Sequence, residues 1–369
     1  MKIGENYYHS IWFNDSEPGV VYVIDQEKLP FKFEIRELRS VDDVYNAIKD
    51  MTVRGAPAIG VAGAFGMYLS TLEITNHTNI REHLKNACDY LVSCRPTAVN
   101  LSWAVKKVYE SLSGNTELRS VSETALLTAK EICETEVDNC RKIGQCGLPL
   151  IEEISLKKHG APVNILTHCN AGWLACVDYG TALAPVYAAH GKGIPLHVWV
   201  DETRPRNQGA KLTTYELENC GIPHSLVSDN TGGHLMQHGK VDLVLVGSDR
   251  TTRCGDVANK IGTYLKALAA FDNKIPFWVA LPSSSIDFTI SDGLSEIEIE
   301  ERDPEEISLV SGFADNKFMS VRICPGKTRS VNYGFDITPA RLISGLITEK
   351  GICKATERGI NKMFSEKFN

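Results

Sequence analysis

The sequence predicts an α/β protein in two domains. A mostly helical domain with a small β start is expected over residues 1–158, and a doubly wound parallel sheet over residues 159–369. Three observations lead to this prediction. The 369 residues leave room for about two to three domains of roughly 150 residues each. Apolar residues recur at helical spacing in the first part, and short β-branched runs alternate with helical stretches in the second.

The composition excludes several classes of protein. Hydrophobic residues make up 43% and charged residues 23%, which are ordinary values for a globular chain rather than a disordered one. The net charge of −7 is spread without a long basic or acidic block, so a dedicated nucleic-acid binder is disfavoured. The amino terminus lacks the pattern of an export signal, and the longest apolar run is shorter than the ~20 residues that cross a bilayer. We therefore expect neither a membrane nor a nucleic-acid partner.

The eleven cysteines indicate the cellular compartment. Their number is odd and no CxxC pair occurs, so a zinc ribbon or a disulfide framework is not expected. Free thiols in this number are typical of a reducing environment. The sequence therefore predicts a cytoplasmic protein.

The amino-terminal part is expected to start with a hairpin and to continue with helices. Clustered apolar and aromatic residues at 20–24 and 31–35 predict its two strands. Ser40 followed by acidic residues predicts a helix cap, after which apolar residues recur at helical spacing. Further helices are predicted at 56–72, 79–93, 98–112 and 119–146.

The carboxyl-terminal part contains five short β-branched runs, at 163–167, 196–200, 224–227, 241–246 and 276–281. The polar residues that end them lie roughly 20 to 33 residues apart, close to the length of a βαβ unit. This spacing predicts a Rossmann-like parallel sheet, in which ligands bind beyond the carboxyl ends of the strands. Cys169, Asp201, Asp229 and Asp249 are expected at those ends. The consecutive acids of 296–306 are expected to form a solvated loop.

Two arginines lie just before predicted helices. Arg54 is followed by Gly55 and Ala56 at the start of helix 56–72, where a guanidinium and a helix amino terminus would favour a phosphate. Arg95 stands in the same relation to Pro96 and the following helix. The alternative for each segment is a simple turn that opens a helix.

Two side chains at strand ends are candidates for catalysis. Cys169 lies in the segment THCNAG, ahead of a helix expected from near Trp173, and that helix would lower the pKa of the thiol. Asp249 follows an apolar strand, where burial would raise the pKa of its carboxyl group and make it a general acid. The alternatives are an inert buried cysteine and a helix cap. The usual signatures of dinucleotide, nucleoside-triphosphate and triad-hydrolase sites do not occur.

Several longer segments resemble one known family. They are RGAPAIG at 54–60, RPTAVNL at 95–101, THCNAG at 167–172, YGTAL at 179–183, VDETRPRNQGAKLT at 200–213 and GDVANKIGTY at 255–264. With these motifs the sequence resembles the methylthioribose-1-phosphate isomerases, in the superfamily that also contains the regulatory subunits of translation initiation factor 2B. The resemblance extends from about residue 38 to about residue 350.

This resemblance implies isomerisation of 5-methylthioribose 1-phosphate to 5-methylthioribulose 1-phosphate, a step of methionine salvage. It implies that Cys169 and Asp249 are the catalytic pair, with Asp249 as proton donor. It further implies a homodimer that needs neither a metal nor an organic cofactor. The substrate contacts that it implies are Arg54, Gly55, Ala56, Arg95, Gln208, Asn259 and Lys260.

The chemistry leaves two routes open. A sugar phosphorylated at C1 is a locked acetal, so an acid must help to break the ring C–O bond, and Asp249 is the expected acid. Hydrogen must then move from C2 to C1. Either the Cys169 thiolate acts as a base through an enolate, or hydride shifts directly while Cys169 shapes the site.

Two alternative functions also remain. A related isomerase would act on 5-deoxyribose 1-phosphate or ribose 1,5-bisphosphate, which differ from the first substrate at C5. A regulatory subunit of a nucleotide-exchange factor would use the same fold without catalysis. An apolar wall around C5 is expected for a methylthio group, and Trp12, Phe13, Trp103 and Trp173 are candidates for it.

Overall fold

In its described residues, the amino-terminal part consists of short strands followed by five helices, as predicted. The computed structural model describes residues 1–75, 79–95, 98–114 and 117–367. The elements of this part are β1 (Lys2–Ile3), β2 (Asn6–Tyr7), β3 (Ile11–Phe13), β4 (Val21–Ile24), β5 (Ile35–Leu38), α1 (Val41–Lys49), α2 (Ala56–Leu72), α3 (Ile80–Ser93), α4 (Val99–Ser111) and α5 (Leu118–Lys157). Strand β4 pairs antiparallel with β3 on one side and with β5 on the other.

Two predicted boundaries in this part are wrong. The second strand of the hairpin starts at Ile35 rather than spanning 31–35, because Asp25 donates its backbone N–H to the Glu34 carbonyl at 2.9 Å and closes a turn over the residues between. Helix α5 does not end near residue 146 but continues to Lys157, past Pro149. Tertiary packing overrides the proline there, since Ile143 and Ile151 are buried against the second part of the chain.

Helix α2 is the centre of the amino-terminal core. It is buried on nearly every face, as expected of a helix that is apolar all round. Helices α1, α3, α4 and α5 pack around it. The amino end of α2 is therefore held in one place, which matters because this end reaches the candidate site.

The carboxyl-terminal part is built on a large sheet, and all five predicted strands are present. Its elements are β6 (Val163–Thr167), α6 (Ala184–Gly191), β7 (Leu196–Asp201), α7 (Thr214–Asn219), β8 (His224–Val227), α8 (Thr231–Gln237), β9 (Leu243–Val246), β10 (Arg250–Thr252), β11 (Val257–Lys260), α9 (Thr263–Asp272), β12 (Phe277–Ala280), β13 (Ile286–Asp287), α10 (Gly293–Glu296), α11 (Glu305–Ser308), β14 (Leu309–Ala314), β15 (Lys317–Arg322), β16 (Phe335–Thr338), β17 (Gly345–Thr348), β18 (Gly351–Cys353) and α12 (Glu357–Met363).

The strand order of the large sheet is β8-β7-β6-β9-β12-β17-β18. All neighbouring pairs are parallel except β17 and β18. The order grows in one direction from β6 to β8 and in the other from β9 onward, so β6 and β9 flank the switch point at which doubly wound sheets bind ligands. Cys169 follows β6 and Asp249 follows β9, which places both residues at this point.

Two smaller units stand beside the sheet. A four-stranded sheet has the order β13-β10-β11-β16 and continues from β9 through Asp249. Strands β14 and β15 form a hairpin with many exposed side chains. Of the helices in the described residues, none is both long enough and apolar enough to cross a membrane.

Candidate active site

The predicted site residues line one cavity, which has about 590 Å³ of empty space. It lies between the carboxyl ends of β6 and β9 and the amino end of α2. The residues brought together there are Arg54, Gly55, Ala56, Arg95, Cys169, Gln208, Asp249, Asn259 and Lys260. Distant segments of both parts of the chain therefore meet at the switch point of the sheet.

The start of α2 closes one side of the cavity. Gly55 precedes the helix with φ of +93°, and a Cβ on this residue would lie 2.3 Å from the Ala175 carbonyl oxygen, so only glycine fits. Among the residues that the structure describes, no side chain caps the helix, so its first N–H groups are available to an anion. The buried Arg54 guanidinium lies beside this end and donates to the Asn170 carbonyl oxygen at 2.7 Å.

Arg95 enters the cavity from just ahead of α4 and is only 8% exposed. It donates to Glu300 at 2.9 Å, and Glu300 also accepts from Arg302 at 2.9 Å. Burial raises the pKa of Glu300, but the two arginines outweigh burial and bring it below its usual value. Pro96, which was expected to open the helix, lies outside the described residues.

The prediction of a solvated acidic loop at 296–306 holds only in part. Glu296, Glu298, Glu301, Asp303 and Glu305 are exposed, whereas Glu300 and Glu306 are partly buried and paired with arginines. Besides Glu300, Glu306 is paired with Arg302 and Arg206 at 2.9 and 3.0 Å. Burial works against the ionised form of Glu306, yet these arginines lower its pKa to about 2. The ion pair between Glu300 and Arg95 ties this segment to the cavity.

Cys169 is 8% exposed and has a left-handed backbone conformation with φ of +68°. Its N–H donates to Thr203 Oγ1 at 2.9 Å, and its carbonyl oxygen accepts from the Thr213 hydroxyl at 2.8 Å. The thiol Sγ lies 3.7 Å from Gln208 Oε1. These contacts fix the thiol in the cavity.

The expected lowering of the pKa of Cys169 is wrong. The helix predicted from near Trp173 is only a three-residue 3₁₀ turn, Trp173–Ala175, so no long helix points its amino end at the thiol. Burial instead raises the pKa of the thiol from its ordinary value, although Arg54 and Lys260 act in the opposite direction. Burial thus favours the uncharged form of the thiol.

Asp249 lies across the cavity at the end of β9. Its backbone N–H donates to the Ala258 carbonyl oxygen at 3.0 Å, which ties it to β11. Burial raises the pKa of its carboxyl group, as the sequence predicts, although Lys260, Arg95 and Arg54 oppose the shift. Within the described part of the chain, no group donates a hydrogen bond to this carboxyl group.

Lys260 ends β11 and is 6% exposed. Burial lowers the pKa of its ammonium group, while Cys169 and Asp249 raise it. The ammonium nitrogen lies 5.0 Å from the centre of the Phe335 ring. The neighbouring Asn259 donates to Thr263 Oγ1 at 3.0 Å, which orients its amide.

Sequence reasoning missed His168, which also lines the cavity and was visible only as the neighbour of Cys169. Its Nδ1 lies 2.9 Å from Asp201 Oδ2, and its Nε2 donates to the Ile261 carbonyl oxygen at 2.8 Å. Lys266 Nζ is 3.2 Å from the same Asp201 oxygen. Asp201 thus supports the site from behind rather than lining it.

Asp229 also lies behind the cavity. Its two carboxylate oxygens accept the backbone N–H groups of Thr203 and Arg204 at 2.7 and 2.8 Å. In the residues that the structure describes, His168, Asp201 and Asp229 form a group with ligand atoms within 4.8 Å of one another, which could hold a metal ion. The Lys266 ammonium already places a positive charge at Asp201.

A family model described as "Initiation factor 2 subunit family" matches residues 52–355. The chain belongs to this family. A methylthioribose-1-phosphate isomerase from Desulfatibacillum aliphaticivorans is 54% identical over 368 residues and covers 100% of both chains.

Two solved structures relate the fold to members of the initiation factor 2 subunit family. A crystal structure of 5-methylthioribose 1-phosphate isomerase from Pyrococcus horikoshii OT3 has a TM-score of 0.81 and 35% identity, and covers 98% of this chain and 96% of that chain. A crystal structure of translation initiation factor eIF-2B, subunit delta, from A. fulgidus has a TM-score of 0.79 and 38% identity, and covers 97% of this chain and 100% of that chain.

Proposed function

We propose that this chain is an aldose–ketose isomerase that converts 5-methylthioribose 1-phosphate to 5-methylthioribulose 1-phosphate in methionine salvage. The observation that carries the proposal is the cavity in which Cys169 and Asp249 meet three cations and an uncapped helix end. The full-length similarity to methylthioribose-1-phosphate isomerases supports the same reaction. The site has what a locked sugar phosphate requires, an acid together with groups that bind an anion.

Phosphate binding is assigned to the cationic groups of the cavity and to the helix end. Arg54, Arg95 and Lys260 line the cavity with the amino end of α2, where Gly55 and Ala56 lie. A helix amino terminus and guanidinium groups favour a doubly charged phosphate. Gln208 and Asn259 add amide groups for the sugar hydroxyls.

Asp249 acts as the general acid that opens the ring. Because burial raises the pKa of its carboxyl group, Asp249 holds a proton more readily than an exposed aspartate does. The proton passes to the ring oxygen as the bond between C1 and this oxygen breaks, and the bond's electron pair stays on the oxygen. C1 is left electron-deficient.

The raised pKa of Cys169 favours the hydride route of the two that the sequence leaves open. A neutral thiol is a poor base for the C2 proton, and a bound phosphate would keep it neutral. Hydride moves from C2 to the electron-deficient C1, and the C2 hydroxyl becomes a ketone. Its proton returns to the Asp249 carboxylate, which restores the acid, while Cys169 shapes the cavity.

We also propose that the enzyme is a cytoplasmic homodimer. All eleven cysteines are free in the structure, as in proteins of reducing compartments. Size-exclusion chromatography with light scattering tests the dimer, for which a mass near twice 40.7 kDa is expected.

The function is tested by phosphorus and proton NMR of the purified chain with 5-methylthioribose 1-phosphate in D₂O, without added cofactor. Ketose formation with no deuterium at C1 is expected, because the hydride that reaches C1 comes from C2. One deuterium at C1 would instead indicate the enolate route.

The same spectra are recorded with 5-deoxyribose 1-phosphate and ribose 1,5-bisphosphate. Faster conversion of the methylthio sugar is expected. Conversion of none of the three would contradict the isomerase and favour a regulatory subunit that only binds sugar phosphates.

A further inference from the structure

The candidate active site places three cations beside an acid that must keep its proton. Arg54, Arg95 and Lys260 line the same cavity as Asp249. Each cation attracts a phosphate, and each also favours the ionised form of a nearby carboxyl group. Burial raises the pKa of Asp249, whereas Lys260, Arg95 and Arg54 lower it. A reaction that uses Asp249 as a general acid therefore benefits from a negative charge that offsets these cations before the phosphate binds.

Glu300 supplies a negative charge at this place. In the residues that the structure describes, Arg95 is the one member of the three cations that forms an ion pair, and its Nη2 lies 2.9 Å from Glu300 Oε2. Besides burial, the Glu300 carboxylate raises the pKa of Asp249. Glu300 does not itself line the cavity, so it acts on Asp249 from behind the Arg95 guanidinium.

The Glu300 carboxylate is held in place by partners other than Arg95. Arg302 donates from Nη1 to Glu300 Oε1 at 2.9 Å, and Arg302 Nη2 is paired with Glu306 at 2.9 Å. The backbone carbonyl oxygen of Glu300 accepts the Gly334 N–H at 2.8 Å, directly before β16. Burial raises the pKa of Glu300, but Arg95 and Arg302 bring it below its usual value. The carboxylate is therefore a fixed negative charge.

Arg95 keeps hydrogen-bond donors for a ligand while Glu300 is bound. A guanidinium has several N–H groups, and Glu300 accepts from Nη2. Among the described residues, no acceptor reaches the buried Nε of Arg95. A phosphate oxygen would satisfy such a donor. The phosphate can therefore bind Arg95 without displacing Glu300.

We propose that Glu300 is a positioning residue of the isomerase that acts as the counter-ion of Arg95, so that Asp249 keeps its proton in the free enzyme at the expense of phosphate affinity. This inference rests on the proposed function. Glu300 touches neither the sugar nor a reacting atom and acts through Arg95. Once the phosphate binds, its own negative charge takes over the role of Glu300 beside Asp249.

Other charged or titratable side chains also line the cavities that Asp249 lines. Arg250 is engaged by Asp287, to which its Nε donates at 3.1 Å. Glu298 is exposed, so solvent and salt screen its charge. In the described part of the chain, these side chains are Arg54 ahead of α2, His168 and Cys169 after β6, Arg250 in β10, Lys260 in β11 and Glu298 after α10. A substitution of Glu300 leaves all of them in the chain.

The first measurement is the Kd of inorganic phosphate, determined by titration calorimetry at fixed pH and ionic strength. Glu300→Gln removes the charge and keeps an acceptor for Arg95, so it should tighten binding about threefold to tenfold. Glu301→Gln, the same change at the exposed neighbouring residue, is the control and should leave the Kd unchanged. In the Arg95→Ala background, Glu300→Gln should tighten binding less than about twofold.

Damage to the fold would act in the opposite direction, because a displaced Arg95 binds phosphate less well. The sign of the change in Kd therefore separates the two explanations. Unchanged or weaker phosphate binding in Glu300→Gln, or an equal gain in the Arg95→Ala background, would overturn the proposal.

The second measurement is the pH dependence of kcat/KM for 5-methylthioribose 1-phosphate, which reports the free enzyme. Loss of the Glu300 charge lowers the pKa of Asp249, so kcat/KM should begin to fall at lower pH. At the pH where the wild type has lost half of its maximum, Glu300→Gln should retain about a quarter or less of its own maximum. Glu300→Asp, which keeps the charge, and Glu301→Gln should follow the wild-type profile.

A Glu300→Gln profile that coincides with the wild-type profile would overturn the role of Glu300 while the proposed function stands. Failure of the proposed function has a different signature. The wild-type chain would then convert none of the three sugars, whatever its affinity for phosphate, and this result overturns both proposals.

Discussion

The two parts of the chain contribute different kinds of group to the same cavity. The helical part supplies Arg54, Gly55 and Arg95, which are permanent cations and a helix end. The sheet part supplies Cys169 and Asp249, whose pKa values burial raises. We infer a division of labour, in which the helical part supplies the arginines and the helix end that hold the phosphate, with Lys260 of β11 as a further cation, and Cys169 and Asp249 at the ends of β6 and β9 serve the reaction.

Physical chemistry accounts for this division. Guanidinium groups stay charged at any relevant pH and bind phosphate by two parallel hydrogen bonds, so they serve binding rather than proton transfer. A group that transfers protons must change its charge, and burial at a switch point provides the environment that shifts its pKa. Variants of the two parts should therefore affect different kinetic constants.

The largest expected effect is that of Asp249→Asn. The amide cannot donate the proton that opens the ring, so kcat should fall about 10²- to 10⁴-fold, with little change in the thermal midpoint. The matched control is Asp242→Asn, at the amino end of the same strand, where Asp242 accepts from the Asn164 N–H at 2.7 Å. A kcat of Asp249→Asn near the wild-type value would contradict the assigned acid.

Arg95→Ala is expected to have a smaller effect, and the effect should be on KM rather than on kcat. Loss of charged hydrogen bonds to the phosphate should raise KM about ten- to a hundredfold and change kcat less. Steady-state kinetics measure both constants, and Arg119→Ala on the exposed face of α5 is the control. If kcat fell while KM stayed constant, the assignment of binding to the helical part would be wrong.

The pH dependence of kcat distinguishes catalysis by Asp249 as a general acid from catalysis by a Cys169 thiolate as a base. Since Asp249 must be protonated, kcat should fall about tenfold per pH unit above its raised pKa. A Cys169 thiolate base would produce the opposite slope, because its raised pKa would make kcat rise with pH. In the Asp249→Asn variant, the remaining kcat should no longer decrease at high pH.

The smallest expected effect is a pH-dependent change in stability at a contact between the two parts of the chain. Glu136 of α5 accepts from the Ser284 hydroxyl at 2.9 Å, close to Pro282 of the cavity. Burial raises the pKa of Glu136 to about 7. Because the folded pKa lies above the unfolded value, its contribution to stability is complete below about pH 4.5 and is lost as the pH rises through about 7.

Glu136→Gln should therefore stabilise the chain by about 1–3 kcal/mol at pH 8.5 and by little at pH 4.5. Urea unfolding at the two pH values measures this difference, and the exposed Glu134→Gln is the control. Neither variant should change kcat or KM. A change in kcat or KM would show that the contact between Glu136 and Ser284 also affects the reaction, and not only the stability of the fold.

The sequence was sufficient to predict the parallel strands of the large sheet and the meeting of Cys169 and Asp249 at its edge. Regular spacing of β-branched runs implied parallel strands, and parallel strands bring Cys169 and Asp249 to one edge. The direction of the Cys169 pKa was not predictable, because it depends on a helix that proved to be a single turn and on burial by distant segments. The pairing of Arg95 with Glu300 joins residues 205 positions apart, and no local pattern indicates it.

The most direct test of the division of labour is the affinity for 5-methylthioribose 1-phosphate, measured by titration calorimetry in the inactive Asp249→Asn background. We expect Asp249→Asn to bind the sugar with a Kd within about threefold of the wild-type KM, and we expect the addition of Arg95→Ala to weaken binding about tenfold or more. Loss of binding in Asp249→Asn alone, or unchanged affinity after Arg95→Ala, would contradict it.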